Sequence, residues 1–299
     1  MRVAVVGLGG VGGYIAASLA KTSHEIIGFA RGEHLNVVQS QGLEIVEDEL
    51  CWSQKVDARA LEDLDGYFEG YFDIVLFCVK SYDLRSSYEH IKSHIDKHSI
   101  LLSFSNGVSN GDVLRELSDS IVLDACVYIL AHREKAGVVR KKGKVFAAVF
   151  GGNDEATLRV DSLFKEANLR TKTPEDIKTA IWKKYIFISA FATLTTYYAK
   201  SIGYIYEHHV AEAKTLLKEI ASVANMVGVK IDEEVEKSLQ TASKVPYDSS
   251  TSMALDFKNG NRDELESLSG YIVKKAKEFH VEVPQMQIMH AKLLEAHRE

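Results

Sequence analysis

Cysteine is scarce in this 299-residue chain, and the three present, Cys51, Cys78 and Cys126, are odd in number and show no CxxC spacing. Neither a disulfide framework nor a zinc site is therefore expected, and a reducing cytoplasm is the natural home. No apolar run reaches the length of a membrane span. Positive charge is not in excess: the formal net charge is −6 and the isoelectric point lies near 6.0. Nucleic acid and anionic membranes are thus not expected as partners. Internal repeats and low-complexity segments are absent. Histidine is plentiful, but His208-His209 is the only adjacent pair. Neighbours on a helix point in different directions, and no carboxylate–histidine spacing accompanies the pair, so no metal is expected.

What the chain does contain is a hydrophobic fraction of 46%, enough for two domains with a core each. The rest is organised around its opening run, Arg2-Val3-Ala4-Val5-Val6-Gly7-Leu8-Gly9-Gly10-Val11-Gly12-Gly13. It reads as a buried strand, a tight turn and the start of a helix continuing to Lys21. Gly7, Gly9 and Gly12 fill the GxGxxG spacing of a dinucleotide site. The first glycine allows the turn, the second lets a pyrophosphate approach the backbone, and the third lets helix pack on strand. A helix N-terminus then offers free N–H groups to the phosphates. A secretory leader would begin with similar letters, Ala17-Ser18-Leu19-Ala20 included, but the glycines of the run would break the apolar helix it needs.

Further strands are expected at 25–30, at 43–56 as one or two short pieces, and at 72–80, 99–104 and 121–129. Two segments at 137–140 and 144–150 read as a hairpin turning at Lys141-Lys142-Gly143. The cluster Arg140, Lys141, Lys142 and Lys144 is then a solvated turn. The strand at 25–30 ends at Arg31, where an NAD-binding domain usually carries an acid. A guanidinium there can pair with the 2′-phosphate that distinguishes NADP, or be a solvated loop residue. Lys80 and Asn106 fall at the carboxyl ends of strands, the rim where ligands of doubly wound sheets bind. Lys80 also reads as a strand exit, and Asn106-Gly107 as a turn.

From Thr173-Pro174-Glu175-Asp176 onward the periodicity becomes helical. The expected division is residues 1–172 as an α/β Rossmann-type domain with a doubly wound parallel sheet, and 173–299 as an all-α domain. The segment 181–198 is apolar enough for a central helix. Helices are also expected at 211–227, 232–241, 263–279 and 285–297. Trp182-Lys183-Lys184-Tyr185 sets two lysines against that apolar run. A desolvated one could donate a proton to a carbonyl oxygen as hydride reaches carbon, or simply snorkel. The many apolar positions of this half leave room for pairing with a second copy as a homodimer.

Gly7-Leu8-Gly9-Gly10-Val11-Gly12, Arg31, Cys78-Val79-Lys80, Ser105-Asn106-Gly107, Trp182-Lys183-Lys184, Ser252-Met253, Glu264 and Ser269-Gly270-Tyr271 occur in an order and at separations that resemble the ketopantoate reductase family. The resemblance covers essentially the whole chain. It implies NADPH-dependent reduction of the ketone of 2-dehydropantoate to pantoate, within pantothenate and coenzyme A biosynthesis. Lys184 matches the proton donor, and Glu264 the acid beside cofactor and substrate. Asn106 matches the residue between nicotinamide and substrate, Lys80 a cofactor contact, and Ser252 a substrate hydrogen-bonding hydroxyl. The glycine run Gly7 to Gly12 and Arg31 complete the implied cofactor site, with Lys184, Asn106 and Ser252 on the small 2-oxo acid.

In one respect the sequence departs from that pattern. Substrate-binding asparagines are expected one and two turns beyond the lysine and again beyond its helix, where this chain has Ile188, Ala192 and Ile202. Each lost partner to a polar substrate is worth on the order of 1–3 kcal/mol. Ser189, Thr193, Thr195 and Thr196 are the hydroxyls available to compensate, though Ser189 and Thr193 lie off the Lys184 face. Two alternatives stay open: a reductase of a less polar 2-oxo acid, and a non-catalytic NADP-binding sensor.

Overall fold

In the computed structural model, which describes residues 1–297, the chain divides into two units. The first comprises Met1–Ser105 and Ser109–Ile177. The second takes the short segment Asn106–Val108 together with the chain from Lys178 onward.

The first unit is a mixed sheet with helices on both faces. Its strands are β1 (Arg2–Val6), β2 (Glu25–Phe29), β3 (Leu43–Glu47), β4 (Leu50–Gln54), β5 (Asp57–Arg59), β6 (Ile74–Phe77), β7 (Ile100–Ser103), β8 (Ile121–Lys135), β9 (Val138–Gly151) and β10 (Thr171–Lys172). They lie in the order β4-β3-β9-β8-β7-β6-β1-β2-β5, with β10 beside β9. The stretch from β5 through β8 is parallel throughout. Alternation along the central strands explains why they must be buried on both sides. Val3, Val5, Ile74, Leu76, Ile100 and Leu102 enter one core with α1 (Gly10–Leu19). Ala4, Val6, Val75, Phe77 and Leu101 enter the other with Leu84 and Tyr88 of α3 (Leu84–Ile91) and Leu114 of α4 (Asn110–Leu117). Such two-sided burial is what a run of unbroken apolar residues encodes. α2 (Gly32–Gln41) follows β2, and α5 (Asp154–Glu166) follows β9. The Asn153 side chain caps α5 by accepting from the Ala156 N–H at 3.0 Å. Since β1 has β2 on one side and β6 on the other, the chain reverses its direction of winding at β1. The glycine turn therefore sits at a topological switch point.

The hairpin expected around Lys141-Lys142-Gly143 is not formed. β9 runs unbroken through those residues and pairs antiparallel with β8, and the register slips between Ile129 and Ala131. The turn lies instead at Gly137, whose φ of +75° is accessible to glycine at little cost. The extra residues form a bulge with Gly143 at φ +66°. Nor is the whole basic cluster solvated. Lys141 is only 5% exposed, with its ammonium 2.7 Å from the Gly143 carbonyl, 3.4 Å from Glu47 and over the Tyr14 ring. A buried lysine needs such partners, and Glu47 on the parallel neighbour β3 supplies one.

The second unit is helical: α6 (Ile177–Tyr198, in this unit from Lys178), α7 (Ile202–His208), α8 (Val210–Met226), α9 (Glu234–Ala242), α10 (Ser252–Lys258), α11 (Tyr271–Glu278) and α12 (Pro284–Ala296). The expected helix at 263–279 is two pieces, a π-helical turn Glu266–Gly270 followed by α11. Core residues come from nearly every helix, with Trp182, Ile186, Phe191 and Leu194 of α6 at the centre. Glu219 of α8 reaches the start of α12, accepting from the N–H groups of Gln285 at 2.9 Å and Met286 at 2.8 Å. A carboxylate suits the positive end of a helix. Among the described residues no helix is long and apolar enough to cross a membrane, and no group of three or more metal-ligating side chains is found.

Candidate active site

The nucleotide-type turn of the first unit can be read from what each glycine excludes. Gly7 has φ +99°, and a Cβ there would meet Val79 Cγ1 at 2.9 Å. A Cβ on Gly12 would lie 2.0 Å from the Gly7 carbonyl and 2.7 Å from Cys78 Cβ, and one on Gly10 would strike the Ala131 carbonyl at 2.5 Å. At Gly9 the same addition meets nothing within 4 Å. So Gly7, Gly10 and Gly12 are required by the protein's own backbone, whereas Gly9 leaves room for something else. That is the division of roles a pyrophosphate cradle needs. α1 carries no acidic residue in its first turn, which leaves the positive end of its dipole available to an anion. A dinucleotide fits the residues present.

Arg31 ends the stretch after β2 and caps α2 with extended backbone. Its guanidinium is 3.6 Å from the Asp83 carboxylate. Lys80 follows Val79, the residue packed against Gly7, and stands at the N-terminus of a short 3-10 turn.

In the second unit Lys184, Asn106 and Glu264 come together. Lys184 Nζ donates to Asn106 Oδ1 at 3.2 Å, and Asn106 Nδ2 donates to Glu264 Oε2 at 3.3 Å. An amide is suited to this middle place, because it accepts from an ammonium with one end and donates to a carboxylate with the other. Glu264 is 3% exposed, while Lys184 keeps part of its surface open. The neighbouring Lys183 turns away to Glu233 at 3.1 Å and Glu234 at 3.7 Å. Ser252 lies exposed in the first turn of α10, which the Thr251 side chain caps.

Two further side chains hold this arrangement: Tyr185, assigned no role from the sequence, and Ser189, expected only as a compensating hydroxyl. The Tyr185 hydroxyl donates to the carbonyls of Leu268 at 2.6 Å and Ser267 at 3.1 Å. Ser189 Oγ lies 3.4 Å from the Leu268 carbonyl. A π turn displaces carbonyls from the regular helical ladder, and α6 meets them just beyond Glu264. Burial pushes the Tyr185 phenol well above its ordinary pKa, so it stays a donor. Only its position beside Lys184 hints at this role.

The positions where asparagines were expected differ among themselves. Ala192 is 1% exposed and Ile202 5%, both within the helical core, while Ile188 packs at its edge. The threonine hydroxyls expected to compensate are buried and engaged: Thr193 donates to the Ser189 carbonyl, Thr195 to that of Phe191, and Thr196 to that of Ala192.

The family profile described as "Ketopantoate reductase PanE/ApbA" matches residues 3–154, and "Ketopantoate reductase PanE/ApbA C terminal" matches residues 176–296. The chain belongs to the ketopantoate reductase family. It is thus an oxidoreductase of that family, and the relatives agree in extent as well as in kind. The uncharacterized oxidoreductase YkpB of Bacillus subtilis is 30% identical over 98% of each chain. The 2-dehydropantoate 2-reductase of Halobacterium salinarum is 28% identical, covering 97% of this chain and 96% of that one. The crystal structure of a PanE/ApbA family ketopantoate reductase from Ralstonia eutropha shares 29% identity and superposes with a TM-score of 0.91, covering 100% of this chain and 99% of the other. A Rossmann-type unit with a helical C-terminal unit is the fold these ketopantoate reductases share with it.

Proposed function

We propose that this protein reduces the ketone of 2-dehydropantoate to pantoate with NADPH. The observation that carries the reading is the Lys184–Asn106–Glu264 chain of hydrogen bonds. The family membership and the 2-dehydropantoate 2-reductase relative support the substrate. Bound at Gly7 to Gly12, with Lys80 as a further contact and Arg31 on the 2′-phosphate, NADPH would supply the hydride. The protein's own residues supply the rest. Lys184 gives its proton to the ketone oxygen, and its charge stabilises the alkoxide that develops as hydride reaches carbon. Asn106 fixes the direction of the ammonium. Glu264 holds Asn106 from the other side, while Ser252 donates to the substrate. One hydride and one proton convert the ketone to a secondary alcohol.

A second reading keeps this chemistry and changes the substrate to a less polar 2-oxo acid. It is favoured by Ile188, Ala192 and Ile202, which offer no hydrogen bond to a hydroxylated side chain. The experiment is NADPH oxidation over a panel of branched 2-oxo acids. A clear preference in kcat/KM for 2-dehydropantoate is expected. Preference for an unhydroxylated acid supports the second reading, and NADPH binding without turnover of any acid refutes both in favour of a sensor.

A further inference from the structure

His34 stands in the first turn of α2, 5% exposed, and joins two distant pieces of backbone. Its Nε2 is 2.7 Å from the Leu8 carbonyl, and its Nδ1 accepts from the Gly137 N–H at 2.9 Å. A ring nitrogen that accepts an N–H cannot itself be protonated. The proton therefore sits on Nε2 and is donated to Leu8, and the ring is neutral. Burial and the charge of Arg133 push its pKa down, which keeps it so.

The Leu8 carbonyl belongs to the peptide between the first two glycines of the turn. The two preceding peptides are already pinned, since the N–H groups of Gly7 and Leu8 both donate to the Phe29 carbonyl, at 3.1 and 3.0 Å. The Leu8 side chain is held as well, because a Cβ on Gly28 would meet it at 2.8 Å. His34 pins the third peptide. Among the described residues no peptide is cis, and in a trans peptide the carbonyl and the N–H point in opposite directions. Drawing the Leu8 oxygen toward the imidazole thus turns the Gly9 N–H the other way, at the glycine whose surroundings are open. The far side of the ring is anchored to the Gly137 N–H. A Cβ on Gly137 would come within 2.4 Å of Val37, so this turn between β8 and β9 is tightly packed.

We infer that His34 is a positioning residue for cofactor binding: as a neutral strut between Gly137 and Leu8, it presents the Gly9 N–H to the pyrophosphate. The inference rests on the reading of Gly7 to Gly12 as the dinucleotide cradle. The test titrates the full-length protein with NADPH and with NADH, following nucleotide fluorescence, for the parent, His34→Phe and His34→Gln. His34→Phe keeps the ring and loses both hydrogen bonds. Its Kd for NADPH should rise about 10-fold, the size of effect expected for one lost buried hydrogen bond. With a turned-over 2-oxo acid the KM for NADPH should rise equally while kcat stays within about twofold, because the interaction is one of binding. The amide of His34→Gln can still donate to Leu8 and should restore most of the affinity. Unchanged NADPH affinity in His34→Phe overturns the inference. So does an equal loss in both variants accompanied by equal falls in melting temperature, since the residue would then only support the fold. Failure of the parent to bind either nucleotide removes the cradle reading itself, and this inference with it.

Discussion

Replacing Tyr185 by phenylalanine removes one hydroxyl and nothing else from the contact between α6 and the π turn. The ring would still pack edge-on to Trp182 at 5.4 Å and to Tyr271 at 6.2 Å. What disappears is a donor shared by the buried Leu268 carbonyl at 2.6 Å and the part-buried Ser267 carbonyl at 3.1 Å. The Ser189 hydroxyl donates to the same Leu268 carbonyl only at 3.4 Å, a long contact that replaces it in part. A buried polar group left without its partner costs about 1–3 kcal/mol. Taking about 2 kcal/mol, and about 2–4 °C per kcal/mol for a body of this size, the melting temperature should fall by about 4–8 °C. Activity should fall too. The Glu264 carbonyl accepts the Leu268 N–H at 3.1 Å, so loosening Leu268 loosens the residue proposed to hold Asn106 and Lys184. A displacement of reacting groups by a fraction of an ångström makes a loss on the order of 10-fold or more in kcat reasonable. Differential scanning calorimetry and steady-state kinetics on the same preparation read both. A melting temperature within about 1 °C of the parent's would refute the energetic argument, which assigns about 2 kcal/mol to this hydroxyl. A large thermal shift with unaltered kcat would refute the link to Glu264.

Gly9→Ala should leave the melting temperature unchanged, because its Cβ meets no protein atom, yet weaken NADPH binding about 10-fold or more by filling the space next to the phosphates; nucleotide titration and calorimetry check the pair. Gly12→Ala, whose Cβ would lie 2.0 Å from a carbonyl oxygen, should by contrast destabilise the first unit itself. Arg31→Ala should lower kcat/KM for NADPH about 10-fold while leaving that for NADH nearly unchanged, as expected for loss of a charge-assisted contact to the 2′-phosphate; equal effects on both coenzymes contradict the NADPH assignment. Burial lowers the pKa of both His34 and His290, so the folded state binds protons less readily there than the unfolded chain. The stability this confers is complete above the ordinary imidazole value of about 6.5 and is lost as pH falls through the lower folded values. Denaturant midpoints between pH 7.5 and 5 should fall less steeply for His34→Gln than for the parent.

Much of the first unit was legible because its physics is local. The opening strand alternates between two cores, and its glycines follow at a spacing that backbone contacts alone nearly dictate. The turn proposed at Lys141-Lys142-Gly143 failed for the opposite reason. A glycine among lysines resembles a solvated turn until Glu47, from a strand much earlier in the chain, is known to lie beside Lys141. His34 gave no signal either, since both of its partners are backbone groups brought near only by folding. In the helical half, Lys184 and Lys183 could not be told apart by periodicity. Glu233 and Glu234 take one and Asn106 the other. The π turn was unreadable because the carbonyls it releases find their donor on another helix. Asn106, three residues beyond the end of β7 in the first unit, gave no sign that it groups with the helical one.

The central claim is that Lys184 supplies the proton to the ketone, and one comparison tests it most directly: 2-oxo acid-dependent NADPH oxidation by the parent and by Lys184→Ala, with the NADPH dissociation constant measured for each. The account predicts a parent that turns over and a variant whose kcat is lower by about 10²- to 10⁴-fold, the range of general acid catalysis, with NADPH still bound. A variant that reduces the same acid at the parent's rate would contradict it.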